Sequence, residues 1–432
     1  LIDLDEFFYS SIYNPQYSGS GMLGQRNQER ATTLTITNTV NFNRTFKDMH
    51  HLNVLLGQEA QKISYRTIYA AASGYPSDAV FELDNASKPT GAGSSTKAST
   101  LSSFFMNAEY NLNDKYYLSG SFRYDGSSRF GVNNKWAPFW SIGAKYRISN
   151  ESFMENTKSW LTDLTIRGSY GTVGNQDIGY YAAMGLYNYG YSYNGKPGAI
   201  PYQIANPDLK WEKKEEWNLG FDYGFFNERL SGSIDLYQRT TRDMVWEYNV
   251  PRPPYLYPTI LANAGTMKNK GLEIRLSAIP VQTKNFQWVT TLNYSTNSNE
   301  VVSLSNNQFR VESGYFYAGY LGNTIKQDTH IVKEGEQMGN FYGFKSIDVD
   351  ENGKWIIQGK DGNPKPIDQQ QQEDKMVLGN GLPKHFLSWD NTLTFKNFDL
   401  NLTMRGAFKY QILNTPRLYY EVPVSLAHGN LM

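Results

Sequence analysis

The sequence contains no cysteine, which excludes disulfides and thiolate-held metals. Neither sign of charge is in excess, because 41 Lys and Arg stand against 41 Asp and Glu. A nucleic-acid binder carries a basic excess, so nucleic acid is not an expected partner. No run of 18 apolar residues occurs, and therefore no candidate membrane-spanning helix. Convincing helical periodicity is almost lacking as well. Histidine is scarce and scattered, at positions 50, 51, 330, 385 and 428, without the spacing of a metal site. There is no initiating Met and no leader: the chain opens "LIDLDEFFYS" and closes "SLAHGNLM", and both ends read as cuts in a longer protein.

What is present is alternation. In "FDLNLTMRGAFKY" (398–410), Phe398, Leu400, Leu402, Met404 and Phe408 fall on one side. Asp399, Asn401, Thr403, Arg405 and Lys409 fall on the other. A period of two predicts a strand with two unlike faces. The pattern returns in 104–112, 116–124, 164–170, 217–223, 229–239 and 271–278, and in roughly a dozen segments altogether. Between them, very short links alternate with long ones. The short ones are "NDK" at 113–115, "NER" at 227–229, "TKN" at 283–285 and "KN" at 396–397, all suited to tight hairpins. The long ones are 70–98, 125–136, 173–210, 247–264 and 304–383.

Alternation alone fits a soluble β-sandwich or adhesin as well as a membrane barrel. Three features favour lipid. The strands are long enough for a tilted bilayer crossing. Their polar faces mix Arg, Glu, Asp, Asn and Ser, as a wet lumen accepts. Aromatics crowd strand ends, with Tyr116 and Tyr124, or Trp288 and Tyr294, as interfacial girdles require. Short turns at one end and long loops at the other are also a barrel habit. The expected fold is therefore all-β: a large antiparallel transmembrane β-barrel, with residues 1–432 forming one portion of it. The largest outer loop spans about 304–383 and carries a little structure of its own at "FYGFKSIDV" and "KWIIQG". Arg123, Arg167, Asp222 and Arg275 are expected to line the lumen, with Leu400, Leu402 and Met404 toward lipid.

No enzyme signature stands. "GSGMLG" (19–24) fits G-x-G-x-x-G but lacks the strand–helix pair of a nucleotide site, and a flexible loop is the better reading. No G-x-S-x-G elbow occurs. "DGSSRFG" (125–131) reads as a sharp loop with Asp125 and Arg129 paired across it. "DVDENG" places Asp348, Asp350 and Asn352 like the opening of a calcium loop. Gly359 stands where the bidentate Glu belongs, so an ordinary turn is preferred, with Asp361 and Asp368 as further carboxylates nearby. No cofactor is expected. The best ligand candidates are the loop aromatics Trp246, Tyr248, Tyr255, Tyr257, Tyr315, Tyr317 and Tyr320. Their faces stack on sugar rings. The alternative for each is loop packing or contact with a partner.

Several stretches resemble the SusC/RagA family of TonB-dependent outer-membrane transporters. They are "YNLNDKYYLSGSFRYDGSSRFGVNNKWAPFWSIGAKYRISNESFM" (110–154), "LTIRGSYGTVGNQDIGYY" (164–181) and "NPDLKWEKKEEWNLGFDYGFFNERLSGSIDLYQRTTRDM" (206–244). "NAGTMKNKGLEIRLSAIP" (263–280), "GEQMGNFYGFKS" (335–346) and "FKNFDLNLTMRG" (395–406) complete the set, in family order. "VLGNGLPKHFLSWD" (377–390) fits more loosely, with His385 at the strand start. The resemblance implies a 22-stranded barrel around an N-terminal plug, with about twelve to fourteen strands in this chain. The plug, the TonB box and the last strands would then lie outside it. The resemblance also implies a SusD-like surface lipoprotein as lid and the TonB complex as motor. The cargo would be a glycan, or a peptide in some members. A passive or adhesive barrel and a soluble carbohydrate-binding protein are the rival readings.

Overall fold

The computed structural model describes residues 2–10, 22–253, 255–322 and 325–420. Gly19 and Gly21 of the G-x-G-x-x-G match, and His428, lie outside the described residues. One 13-stranded sheet dominates. Its strands are β1 (Ile2–Tyr9), β2 (Leu23–Phe46), β3 (His50–Ser73), β4 (Lys88–Leu112), β5 (Tyr116–Ser127), β6 (Trp136–Arg147) and β7 (Leu161–Asn175). β10 (Glu212–Phe225), β11 (Leu230–Asn249), β12 (Thr259–Gln282), β13 (Phe286–Ser303), β21 (His385–Phe395) and β22 (Phe398–Phe408) follow in the same order. Every neighbouring pair is antiparallel, so the wall is one continuous meander. Three small sheets fill the long links: β8 (Leu186–Tyr193) with β9 (Lys196–Gln203); β14 (Tyr315–Leu321), β15 (Gln327–Lys333), β16 (Asn340–Gly343) and β20 (Met376–Asn380); and β17 (Ser346–Val349), β18 (Trp355–Gln358) and β19 (Pro364–Pro366).

The short links are hairpin turns in left-handed backbone. Asn113 and Asp114 both have φ +53°, Asn227 has φ +56° and Lys396 has φ +52°. Asn and Asp tolerate that region best, because their short polar side chains bond locally. Three long links are shorter than expected: 70–98 reduces to 74–87, 125–136 to 128–135, and 247–264 to 250–258. The strands simply continue. β2, β3 and β4 run 24, 24 and 25 residues, although about 9–11 suffice to cross a bilayer. Their outer ends are rich in Ser, Thr and Gly, as in "KPTGAGSSTKAST", and meet water on both faces, so no apolar alternation marks them.

Register confirms the two faces. Leu56, Met106, Phe122 and Trp140 are successive cross-strand partners on one face. Phe221, Ile234, Ile274, Tyr294 and Leu387 form a second such row. Opposite them runs a polar row across eight strands: Arg147, Thr165, Asp222, Ser233, Arg275, Asn293, Ser388 and Arg405. The apolar face is solvent-exposed in the isolated chain, with Leu118 at 54%, Ile142 at 57% and Leu400 at 62%. Such a contiguous apolar surface on a β-wall is a lipid surface. Its edges are aromatic. At the loop end Tyr124 stacks on Trp136 at 5.0 Å, and at the turn end Tyr116 stacks on Tyr146 at 5.0 Å.

The "DGSSRFG" loop is structural, but not through the expected ion pair. Asp125 accepts from Arg123 at 2.6 Å, whereas Arg129 reaches Asp177 at 3.1 Å and lies over the Tyr180 ring. The loop itself is anchored by Phe130, which is buried against Trp211 at 4.6 Å. The Gly131 N–H donates to the Leu209 carbonyl at 2.8 Å. A Cβ on Gly131 would lie 2.0 Å from the Pro207 carbonyl oxygen, so only glycine allows that approach. Thus two of the stretches quoted above, 110–154 and 206–244, lock to each other at the loop end.

Candidate functional site

Two regions have the chemistry to handle a solute: the polar inner wall and the loop-end mouth above it. On the inner wall Arg167 (β7) reaches across two strands. It donates to Asp222 on β10 at 3.0 Å and to Asp235 on β11 at 2.7 Å. Gly220 lies between them in the ladder, Arg167 opposite Gly220 opposite Asp235. A Cβ at Gly220 would be 2.4 Å from the guanidinium carbon, so this glycine makes room for the bridge. Arg123 similarly bonds Asp125, Glu59 at 3.2 Å and Ser103 at 2.8 Å. Both arginines are therefore engaged within the wall. A concavity of about 610 Å³ opens on the same face, lined by Asn53, Glu109, Lys145, Arg167, Ser169 and Asn218.

At the mouth, a bulge re-aims one strand. In β11, Ile234 and Leu236 face outward. Register shifts between Thr241 and Met244, with Asp243 at φ +56°. Beyond the bulge Met244, Trp246 and Tyr248 turn toward the 304–384 insert and, with Met267, Val301, Phe316 and Val332, close a small apolar pocket. Trp246 packs on Phe316 at 4.8 Å and Tyr248 on Phe309 at 5.5 Å. Each such aromatic pair adds about 0.5–1.5 kcal/mol beyond burial. The insert is also tied by hydrogen bonds: Leu304 N–H to Glu334 at 2.7 Å, Met338 N–H to Asn299 at 2.7 Å and Val301 N–H to the Glu336 carbonyl at 2.9 Å.

The candidate aromatics fall into two groups. Tyr248 is buried, and its hydroxyl donates to the Leu304 carbonyl at 2.8 Å. Tyr257 packs on Tyr202 at 6.0 Å. Tyr315 and Tyr317 join Tyr342 in a cluster, with Tyr317 to Tyr342 at 5.5 Å and Gln372 donating to the Tyr317 hydroxyl. Burial pushes Tyr342 up to about 12. Tyr255 and Tyr320 remain exposed, at 43% and 62%, and Trp246 keeps one exposed side. The β8–β9 hairpin adds Tyr187, Tyr189, Tyr191 and Tyr193, all exposed. These four stand outside the sequence candidates. The signal was there: Tyr at every second position before Asn194-Gly195, which turn at φ +49° and +75°.

In the "DVDENG" turn, Asp350 Oδ1 accepts from Asn352 N–H at 2.9 Å and Lys354 N–H at 2.8 Å. Asp348 accepts from Val349 N–H, and Asp368 faces Lys354 at 3.5 Å. The carboxylates shape the turn, and among the described residues no three acidic or His side chains converge on a metal position. The nearby Asp374 is more tightly held. Lys365 Nζ donates to it at 2.8 Å, as do Lys360 and Gln371 N–H groups, and together they hold its carboxyl down to about 2. The described histidines are apart from one another in bonding: His50 with Tyr110, His51 with Thr45, His330 with Thr329 and His385 with Tyr294.

Comparison with known proteins fits this geometry. The family described as TonB dependent receptor-like, beta-barrel, matches residues 3–402. TonB-dependent receptor P39 of Formosa agariphila is 35% identical over 78% of the chain, and the match covers 31% of that relative. TonB-dependent receptor SusC of Bacteroides thetaiotaomicron is 30% identical over 71% of the chain, covering 31% of its own length. The solved RagAB peptide transporter superposes with a TM-score of 0.83 at 26% identity, over 97% of this chain and 46% of that one. The chain thus spans about a third of the length of these curated relatives. An outward lipid face, girdles at two heights and loops sorted to one end are what such proteins need in a bacterial outer membrane, and the chain belongs to the TonB-dependent receptor β-barrel family as a SusC-like member.

Proposed function

We propose that this chain forms barrel wall and outer mouth of a TonB-driven importer of oligosaccharides. The observation that carries the reading is the concentration of exposed aromatic faces at the loop end: Trp246, Tyr255, Tyr320 and the β8–β9 tyrosines. Aromatic rings offer sugars flat apolar contact with hydroxyls at the rim. The mechanism is capture and gated passage, with no bond chemistry. Cargo is held at the mouth beneath a SusD-like lipoprotein. A plug contributed from outside this chain, pulled by TonB, opens the way along the hydrated inner wall. Arg167, Arg123 and their acid partners keep that wall polar without presenting unpaired charge.

A peptide cargo is the second reading, favoured by the likeness to the RagAB peptide transporter. Calorimetric titration of the full-length transporter with its lid, against oligosaccharides and peptides of matched size, separates the two. Binding confined to oligosaccharides, and weakened when Tyr320 and Tyr189 are replaced by Ala, supports the first. Binding confined to peptides overturns it.

A further inference from the structure

Above the loop-end girdle, the outward face of β2, β3 and β4 changes character. The register from β2 to β3 is unbroken, so the outward parity of Val40 and Leu56 carries upward without a flip. Ile36 and Leu34 come first, 54% and 58% exposed, beside the girdle residue Trp136. They border a groove of about 440 Å³ whose rim carries Lys62 and Lys135. Four residues further out along each strand stand Arg30 and Arg66, directly opposite each other. Like charges facing across a ladder destabilise a sheet, so this pair has no structural rationale of its own. Thr32, Ser64, Thr96, Thr100 and Ser102 share the face, and the register places no acidic side chain among them. Among the described residues none of the four cations enters an ion pair, whereas Arg26, four residues further along β2, is paired with Glu6 and Glu82.

The height fixes the occupant. Lys62 lies four residues beyond Gln58, which is level with Phe104 and Tyr124 of the girdle. Four residues are about 13 Å of strand, or about 10 Å along the membrane normal at barrel tilt. Arg30 and Arg66 are about 20 Å up by the same reckoning. Acyl chains therefore end at Ile36 and Trp136, and charged sugar headgroups of the outer leaflet begin at Lys62. We infer that this face binds a phosphorylated, acylated glycolipid of the outer leaflet. Lys62 and Lys135 meet the phosphate, Arg30 and Arg66 meet anionic groups further along the saccharide, and the hydroxyls bond the sugars.

The test uses the full-length transporter reconstituted in phosphatidylcholine nanodiscs with trace lipid A, and native mass spectrometry to count bound lipid. Losing Lys62 or Lys135 is expected to weaken retention of lipid A roughly fivefold each, whereas losing Arg30 or Arg66 should leave lipid A unchanged and weaken by the same factor the retention of lipopolysaccharide that carries its phosphorylated saccharide. The variant Lys62→Gln, Lys135→Gln should lose lipid A, and Lys62→Arg should keep it. Heat-modifiable gel mobility verifies folding, and the single Lys62→Gln change serves should the double variant not fold. Equal retention by wild type and Lys62→Gln overturns the proposal. So does equal retention of dephosphorylated lipid A, which leaves only greasy contact. Displacement of lipid A by millimolar inorganic phosphate overturns the glycolipid assignment in favour of a general anion site. Co-purification of a protein on this face in place of lipid overturns it as well.

Discussion

The assignment of faces makes a sharp prediction on β13. Its outward residues are Phe286, Trp288, Thr290, Leu292 and Tyr294, by register with Leu276 on β12 and Trp389 on β21. Leu292 stands six residues beyond Phe286 at the turn end, about 20 Å of strand and about 15 Å along the normal. That is within a few ångströms of the middle of an apolar band about 25 Å tall. Leu292→Arg should therefore cost about 2–4 kcal/mol, roughly a 30- to 900-fold shift toward the unfolded state. Ser295, three residues on, faces inward and directly opposes Glu273. Ser295→Arg should be neutral, or stabilising by up to about 1 kcal/mol. Urea titration of the full-length protein folded into lipid vesicles, read by gel mobility, compares the two. A tolerated Leu292→Arg beside a damaging Ser295→Arg would mean the faces are reversed. Equal damage from both would mean two dry faces, and the membrane reading would fail.

Three further outcomes are expected. Gly220→Val should push Arg167 off Asp235 and lower thermal stability by about 1–3 kcal/mol, measured by calorimetry; no change would show the guanidinium does not need that space. Tyr248→Ala should cost about 3 kcal/mol, exposing the 304–384 insert to protease while sparing the affinity of whatever cargo still binds; Tyr320→Ala should do the reverse. Asp374 is held at about 2, below its unfolded value near 3.8, so its contribution is complete above pH 4 and disappears as pH falls toward 2. Hydrogen exchange of 359–375 should rise over that window, and Asp374→Asn should abolish the dependence; a flat profile in the wild type would remove Asp374 as the anchor.

Much of the wall was legible because its chemistry is periodic. Wherever one face meets lipid and the other water, as at 217–223 or 398–410, alternation is enforced by cost and the strand declares itself. The turns at Asn113-Asp114 and Asn227 were readable because few residues accept left-handed backbone. Beyond the bilayer that pressure ends. Residues 88–100 are wet on both sides, so Ser, Thr and Gly form strand without a pattern to announce it. The hairpin at 186–203 carried its Asn-Gly signal but was submerged in a Gly- and Tyr-rich stretch. The candidate mouth was the least legible part. The bulge at Asp243 reverses which parity of β11 faces inward, and nothing in "TTRDMVWEY" reveals the reversal. Tyr248 and Tyr320 look alike in sequence, yet the fold buries one and displays the other.

The overshoot of β2, β3 and β4 has a mechanical consequence. Their upper halves are laddered backbone, tied rung by rung from Leu23–Ser73 down to the bilayer. A parapet built that way resists bending far better than a ring of loops would. The 304–384 insert is held differently: it is seated on β11 and β13 through Trp246, Tyr248 and a few hydrogen bonds rather than through a ladder of rungs. The rim is in that sense uneven, with one stretch stiffened by backbone rungs and another whose seat depends on a handful of side chains.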